Sequence, residues 1–529
     1  MFFHAFRRTV PKENVTKPDV ENVRHALKFR PKLLFCAALA LAAAGCSGGG
    51  GMSAPTVTVP SQPAAAASAS PTPAPSVAKL TPAATVTATP TATATAAPAA
   101  TATATAAATA TPTATARPSA TPVPTPAPIP TIISTSEVPF AADALADAVG
   151  LNDHTSTNYV GSDFSTIVSL EQSLGVRHLR DGILNGMTSY EAALNQLLNA
   201  TGAKVDGITD CAGIEQDPTS PTSPASIQQF QSSLGNRMES VESPNEPDLR
   251  GDSNWVADTK ACLPSLASAL PNLPFLAPAL GDPNENAYTL GNISALVTEG
   301  NFHRYFSGRN PGTGGWGGSS ACGVYGALSW ALCLAQVESG TEPLVVTETG
   351  WNSQDEVDEL TQAKYLSRVF FVNLKAGVAH TYIYDLKDYT GQDNFYGNGL
   401  IRTDDSQKPS FAAVKNLISV FADPGAVAAT SALPYSLTNQ NLDHALFQRH
   451  DGTYILALWN ETSSWNPNTN TETVVPAQSE TIDLEIPPST LSAQALTDTG
   501  SFAAKAVTVA GAAVTLPVDD HITLVTFKF

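Results

Sequence analysis

"VESPNEPDLRG" (241–251) ends an apolar run on a proline-flanked Asn-Glu pair, and "PLVVTETGW" (343–351) ends another on a glutamate. Only 14% of the chain is charged, so a carboxylate in such a place is either part of a surface turn or a group held at the rim of a core. The spacing of the two stretches favours the second reading. Glu246 and Glu348 are three strand–helix repeats apart, at nearly the separation expected when roughly 250 residues make eight repeats.

The repeats are legible around them. Short apolar runs at 147–152, 175–182, 203–208, 237–247, 274–280, 300–306, 343–349 and 379–386 read as eight strands, with the two glutamates ending the fourth and the seventh. Helical patterns lie between the early ones. "DFSTIVSLEQSLG" (163–175) puts Ile167, Leu170 and Leu174 on one face and stops at Gly175. "TSYEAALNQLLNATG" (188–202) has Thr188 and Glu191 in capping-box spacing and ends near Gly202. "SPASIQQFQSSLG" (223–235) offers Ser223 as N-cap and Pro224 as first helical residue. Strand–helix alternation predicts a parallel sheet, and eight repeats predict a closed (β/α)₈ TIM barrel over 136–423. An open doubly wound sheet is the rival, but it would want a Gly-rich phosphate turn after an early strand, and none is visible.

The character changes near 424. "HALFQRHDGTYILALWN" (444–460) reads as a hairpin turning at Asp451-Gly452, "ETIDLEI" (480–486) alternates Ile482, Leu484 and Ile486, and "HITLVTFKF" (521–529) is a final strand. Short strands without helices predict a small all-β sandwich over 424–529.

The first part of the 529-residue chain has another composition. Arg24, Lys28, Arg30 and Lys32 precede "LLFCAALALAAA" (33–44) and "GCSGGGG" (45–51). An apolar run this short suits a signal peptide (1–46) better than a membrane span. The cysteine after small residues resembles a bacterial lipobox, which would make Cys46 the lipidated residue. An ordinary secretory signal with an incidental cysteine is the alternative. Residues 47–135, typified by "TATATAAPAATATATAAATATPTATARPSATPVPTPAPIP" (91–130), have few groups able to form a core, so a disordered Ala/Thr/Pro-rich linker is expected. A tether of this kind fits a lipid anchor. Export to the bacterial cell envelope, lipid-anchored or secreted, follows as the expectation, with any membrane contact made only through that anchor.

Cysteine use agrees with export. Setting aside Cys36 and Cys46 leaves Cys211, Cys262, Cys322 and Cys333, which allow three pairings. Pairing 322 with 333 closes a short loop and 211 with 262 joins neighbouring loops, so these two are favoured; free buried thiols are the alternative. No Cys/His cluster suggests zinc. A formal charge of −19, with no Lys/Arg cluster after residue 32, argues against nucleic acid or an anionic membrane surface as partner.

Two carboxylates facing one cleft are what glycoside hydrolysis requires: a protonated one delivers a proton to the leaving oxygen, and an ionised one attacks the sugar carbon. "NEP" (245–247) and "TETGW" (347–351), in this order, resemble the clan-A retaining glycoside hydrolases. "GNFHRYFSGRNP" (300–311) is similar to their sixth-strand His-x-Tyr segment, and "YIYDLKD" (382–388) with "GNGLIRTDDSQKPSFAAVKNL" (397–417) to their eighth strand and closing helix. The C-terminal sandwich fits the families of β-xylosidases and related β-glycan hydrolases. The resemblance spans about 146–529. It implies Glu246 as acid/base and Glu348 as nucleophile, Asn245 on the sugar 2-hydroxyl, and His303 and Tyr305 lining the cleft. It needs a basic residue to hold Glu348 ionised; Arg180 is preferred, with Arg177 and His178 as neighbours. Clan members often carry Trp at the end of strand eight as a sugar platform. Here Tyr384 stands in its place. Trp351 in "TETGW", and Trp316 and Tyr325 in the Gly-rich loop 308–326, are further expected sugar contacts.

The implied substrate is an oligo- or polysaccharide, with neither cofactor nor metal. Glu242 and Glu342 compete as register alternatives, and Asp385 with Asp388 as another carboxylate pair. A non-catalytic carbohydrate-binding surface lipoprotein and a structural envelope lipoprotein are the rival functions, since fold alone does not fix activity.

Overall fold

A computed structural model describes residues 133–155, 163–184, 187–213, 222–389, 396–425 and 432–529. The leader, Cys46 and nearly all of the expected linker lie outside these residues.

Eight parallel strands alternate with helices in the order β1 (Val149–Asn152), α1 (Phe164–Leu174), β2 (His178–Gly182), α2 (Thr188–Thr201), β3 (Lys204–Ile208), α3 (Pro224–Ser233), β4 (Met238–Glu242), α4 (Trp255–Ala267), β5 (Phe275–Leu276), α5 (Pro283–Leu290), β6 (Gly300–Tyr305), α6 (Leu328–Ser339), β7 (Leu344–Gly350), α7 (Glu359–Lys375), β8 (Val378–Ile383) and α8 (Pro409–Phe421). Each strand pairs with its sequence neighbour, and β8 pairs back to β1. The last seam, β5 to β6, closes through a parallel bridge between Leu276 and Glu299 and through Ala277 N–H donating to Glu299 O at 2.9 Å. No order reversal interrupts the ring, which removes the doubly wound alternative. All seven residues of β7 are buried, as a strand covered by barrel interior on one side and helices on the other must be.

Local signals explain most helix ends. Asp163 Oδ1 accepts from Ser165 N at the start of α1, which ends at Gly175 with φ 82°, a conformation that only glycine adopts without cost. Ser223 and Ser226 form a reciprocal capping box at α3, with Pro224 the first helical residue. The expected box at α2 does not form. Met187 occupies the cap position without a side-chain bond and Thr188 is already helical.

Two sheets of five and six strands make the C-terminal sandwich, antiparallel throughout except where Phe140–Ala141 joins the edge of the second in parallel. It begins earlier in the chain than expected. Ile133–Glu137 pairs with Leu433–Leu437, and Phe140–Ala141 with Asp443–Gln448, so a segment expected partly within the barrel completes the sandwich instead. Ile486 also departs from its expected alternation: the strand ends at Asp483, and Ile486 is exposed. The central strand Tyr454–Trp459 serves two cores because its side chains alternate. Ile455, Ala457 and Trp459 join the barrel's core, while Leu456 and Leu458 join the sandwich's own. Phe371 of α7 packs on Phe447 and Trp459, and Phe421 of α8 on Phe447. Buried Arg368 of α7 donates across the junction to Asn460 O, Thr462 O and Ser464 Oγ.

The two neighbours considered beside Arg180 are used elsewhere. Arg177 pairs with Asp143, and His178, at the start of β2, lies between Glu239 (2.8 Å) and Asp147 (3.3 Å). Burial works against a charge on His178, but its two carboxylate partners outweigh burial and raise its pKa to about 9. A raised folded-state pKa contributes stability that is full below the ordinary 6.5 and disappears as pH climbs through about 9. The difference in unfolding free energy between wild type and His178→Gln is therefore expected to be largest below pH 6.5 and to vanish above about 9. Urea melts across that range check it, and a pH-independent difference contradicts it.

Candidate active site

Arg180, on β2, is almost sealed from water at 2% exposure. A guanidinium has five N–H donors, and each one here has an acceptor. Nε donates to Glu242 Oε2 at 2.6 Å and one Nη2 proton to Glu242 Oε1 at 2.7 Å, a two-pronged pair. The second Nη2 proton goes to Asn245 Oδ1 at 2.8 Å. Nη1 donates to Asn152 Oδ1 at 2.7 Å and to Glu348 Oε1 at 2.8 Å. Asn152 Nδ2 in turn donates to Thr347 O and Ile383 O, so one side chain on β1 ties β7 and β8 together beneath the site.

Burial would push the Glu242 carboxyl up, but Arg180 outweighs it and the pKa falls below its usual value. Asp206 lies beside Glu242, and burial together with that charge holds it well above the usual range, hence neutral; its Oδ1 accepts from Ser240 Oγ at 2.6 Å. Glu242 is thus the structural anchor for Arg180.

Glu348 lies within β7, its carboxylate held on both oxygens. Arg180 takes Oε1, and the Tyr305 hydroxyl donates to Oε2 at 2.9 Å. Burial and the charge of Glu348 keep the Tyr305 phenol far above its usual pKa, so it stays a donor.

Glu246 is not at the end of β4, as its sequence position suggests. That strand stops at Glu242, and Glu246 stands four residues on, in a left-handed conformation (φ 46°, ψ 53°) opening the one-turn 3₁₀ helix Pro247–Leu249. A non-glycine residue there is strained, and hydrogen bonds hold it. Glu246 N–H donates to Ala279 O at 3.0 Å, and Arg250 Nη2 to Asn245 O at 2.7 Å. The displacement carries Glu246 over the barrel mouth towards Glu348. One carboxylate oxygen of each and one ring nitrogen of His303 all lie within 4.8 Å of one another.

His303 Nδ1 is 3.0 Å from Glu246 Oε1 and 3.6 Å from Glu348 Oε2. Burial disfavours a charge on its ring, yet Glu348 and then Glu246 prevail and raise its pKa above 6.5.

The remaining expected contacts divide. Tyr384 is buried at the end of β8, its ring edge-on to His154 at 5.2 Å and its hydroxyl 3.4 Å from that of Tyr389. Trp351 is a correction. It is wholly buried, stacked on Phe306 at 4.4 Å, with Nε1 donating to Arg309 O at 2.8 Å, so it supports the wall behind the site and presents no face to a ligand. Trp316 and Tyr325 are half-buried and pack edge to face, with Arg309 over the Trp316 ring. Cys211 bonds to Cys262 and Cys322 to Cys333, the second tying the Gly-rich loop to α6. The alternative carboxylate pair is structural: Asp388 accepts from Lys408 Nζ at 2.7 Å, and burial keeps Asp385 neutral. Asn152, His154 and the anchoring role of Glu242 escaped the sequence reading. His154, next but one after β1, is lowered to about 4 by burial and is neutral. Its place just past a strand end was the only signal available.

No protein-family model matches the sequence, and no curated protein does. Solved structures do. A family 39 glycoside hydrolase from the gut symbiont Bacteroides cellulosilyticus WH2 shares 17% identity over 74% of this chain and 83% of its own, with a TM-score of 0.51. A glucosidase from Croceicoccus marinus shares 11% over 72% of this chain and 96% of its own, with a TM-score of 0.50. The likeness is one of fold. It bears out the barrel and sandwich read from the sequence.

Removing Arg180 would strand two buried carboxylates. Arg180→Met is expected to cost about 3–5 kcal/mol of stability, the usual loss when a buried pair is broken on one side. Arg180→Lys keeps charge but not the fork, and should recover only part. Denaturant midpoints measure both; a loss below about 1 kcal/mol in Arg180→Met, the scale of an exposed pair, contradicts the anchoring role.

Proposed function

We propose that the protein is a retaining glycoside hydrolase that cleaves β-linked glycans by double displacement, held at the cell envelope by lipid on Cys46. The observation that carries the catalytic part is the closeness of Glu246 and Glu348, with an oxygen of each inside 4.8 Å. Retaining enzymes hold their carboxyl groups about 5–5.5 Å apart, whereas inverting enzymes need roughly 6.5–9.5 Å to admit a water. The names of the two solved structures that share the fold, a glycoside hydrolase and a glucosidase, support the reading.

The residues divide the work. Glu348, held by Arg180 and Tyr305, attacks the anomeric carbon as a carboxylate. Glu246 gives its proton to the leaving oxygen, then takes one from the water that releases the sugar. Asn245 Oδ1 is committed to Arg180, which leaves its amide N–H to donate to the sugar 2-hydroxyl. The leaving-group proton belongs to a Glu246–His303 pair, and the raised His303 pKa keeps it in place beyond pH 6.5.

Proton NMR of a 4-nitrophenyl β-glycoside panel tests the reading. The β-anomer should appear first, Glu348→Gln should abolish turnover, and Glu246→Ala should be rescued by azide as a β-glycosyl azide. An α-anomer released first contradicts retention, and glycan binding without turnover would make the protein a binding module. The alkaline fall of kcat/KM should begin above pH 6.5 in wild type and at lower pH in His303→Gln; an unmoved profile argues against the shared proton. For the tether, Cys46→Ser should shift the protein from the membrane fraction to the soluble one.

A further inference from the structure

Leu249 is an exposed large apolar side chain, 37% accessible, three residues after Glu246. It ends the one-turn helix that Glu246 opens. The turn is fixed from outside. Both carboxylate oxygens of Asp248 are occupied, accepting from Gly281 N (2.9 Å), Asp282 N (2.9 Å) and Asn286 Nδ2 (2.8 Å), which bind the turn to the loop before α5 and to its first turn. Leu249 therefore does not owe its position to a core of its own. It lies across Gly281, where an added Cβ would fall 2.2 Å from Leu249 Cδ1 and 3.3 Å from Glu246 Cδ. The two side chains share the space above one glycine.

We infer that Leu249 forms the wall of the leaving-group subsite and selects leaving groups with an apolar face. The inference rests on the hydrolase reading above. An acid that protonates a leaving oxygen stands next to the group that departs, so an exposed apolar side chain packed beside its carboxyl meets that group. A pyranose ring offers such a face in its axial C–H bonds, and an aryl aglycone offers a flat one. Gly281 is required because any side chain there would lift Leu249 out of place.

Matched pairs of substrates test the assignment, with a β-glycosyl fluoride and a 4-nitrophenyl β-glycoside of glucose, xylose and galactose in turn. Both leaving groups depart with little need of an acid, so the ratio of their kcat/KM values isolates the contact with the aglycone from any disturbance of Glu246. Leu249→Ala should lower the nitrophenyl-to-fluoride ratio about tenfold, the low end of what an apolar contact contributes to discrimination. Leu249→Met should restore most of it. Gly281→Ala should lower the ratio in the same direction. Equal losses on both substrates in Leu249→Ala, or a ratio within about twofold of wild type, a change too small for an apolar contact to have been lost, overturn the assignment while leaving the hydrolase reading standing. Wild-type protein that turns over none of the pairs overturns the hydrolase reading and this inference with it.

Discussion

A guanidinium shut away from water and satisfied at all five N–H groups organises this molecule. Burying a charge is tolerable only with partners, and Arg180 draws those partners from β1, β4, the turn after β4, and β7. Each is thereby fixed relative to the others at the mouth of one barrel. The charges are apportioned by distance. Glu242 takes the two-pronged contact, which draws its pKa below the usual value, Asp206 is held well above the usual range behind it, and Glu348 takes a single Arg180 bond plus one from Tyr305. Glu348 is thus held more loosely than Glu242, by one guanidinium N–H and one phenol, with His303 Nδ1 3.6 Å from its Oε2. Under the proposed mechanism this looser hold suits a group that must bond to carbon.

The second carboxylate is reached differently. Glu246 has no arginine; it is delivered by a strained left-handed turn and met by His303. Environment thus separates two chemically identical groups, one facing a buried cation and the other facing an imidazole with a raised pKa. The barrel supplies the cation from its interior and the imidazole from a strand four places round, so the difference between the two glutamates is a property of the closed ring and not of either segment alone.

The sandwich is part of the same construction. Arg368 crosses from α7 into three acceptors of the sandwich. Glu461, just past the strand Tyr454–Trp459, accepts from Asn310 Nδ2 at 2.7 Å and Gly312 N at 2.9 Å in the loop that follows β6. The C-terminal domain therefore braces the loop after the strand that carries His303 and Tyr305. All eight barrel strands were legible in the sequence, because apolar runs of that length at that spacing have few other uses; the choice of Arg180 over Arg177 and His178 as the partner of Glu348 rested on the resemblance. Three things were not legible. Strand pairing by 133–141 depends on a partner some 300 residues away and leaves no local trace. Trp351 was expected as a sugar contact three residues after Glu348, but the residue after a strand end can turn inward, and here it stacks on Phe306. Glu242 looked like a register error; only the closed ring shows that its depth in the barrel suits an anchor rather than a reagent.

The most direct measurement of the central claim is intact-protein mass after incubation with a panel of activated 2-fluoro β-glycosides, followed by peptide mapping. A single glycosyl adduct on Glu348, absent from Glu348→Gln, is the predicted result and would also identify the sugar. An adduct on Glu246 or Glu242, or none from any sugar on a folded protein, would contradict the account.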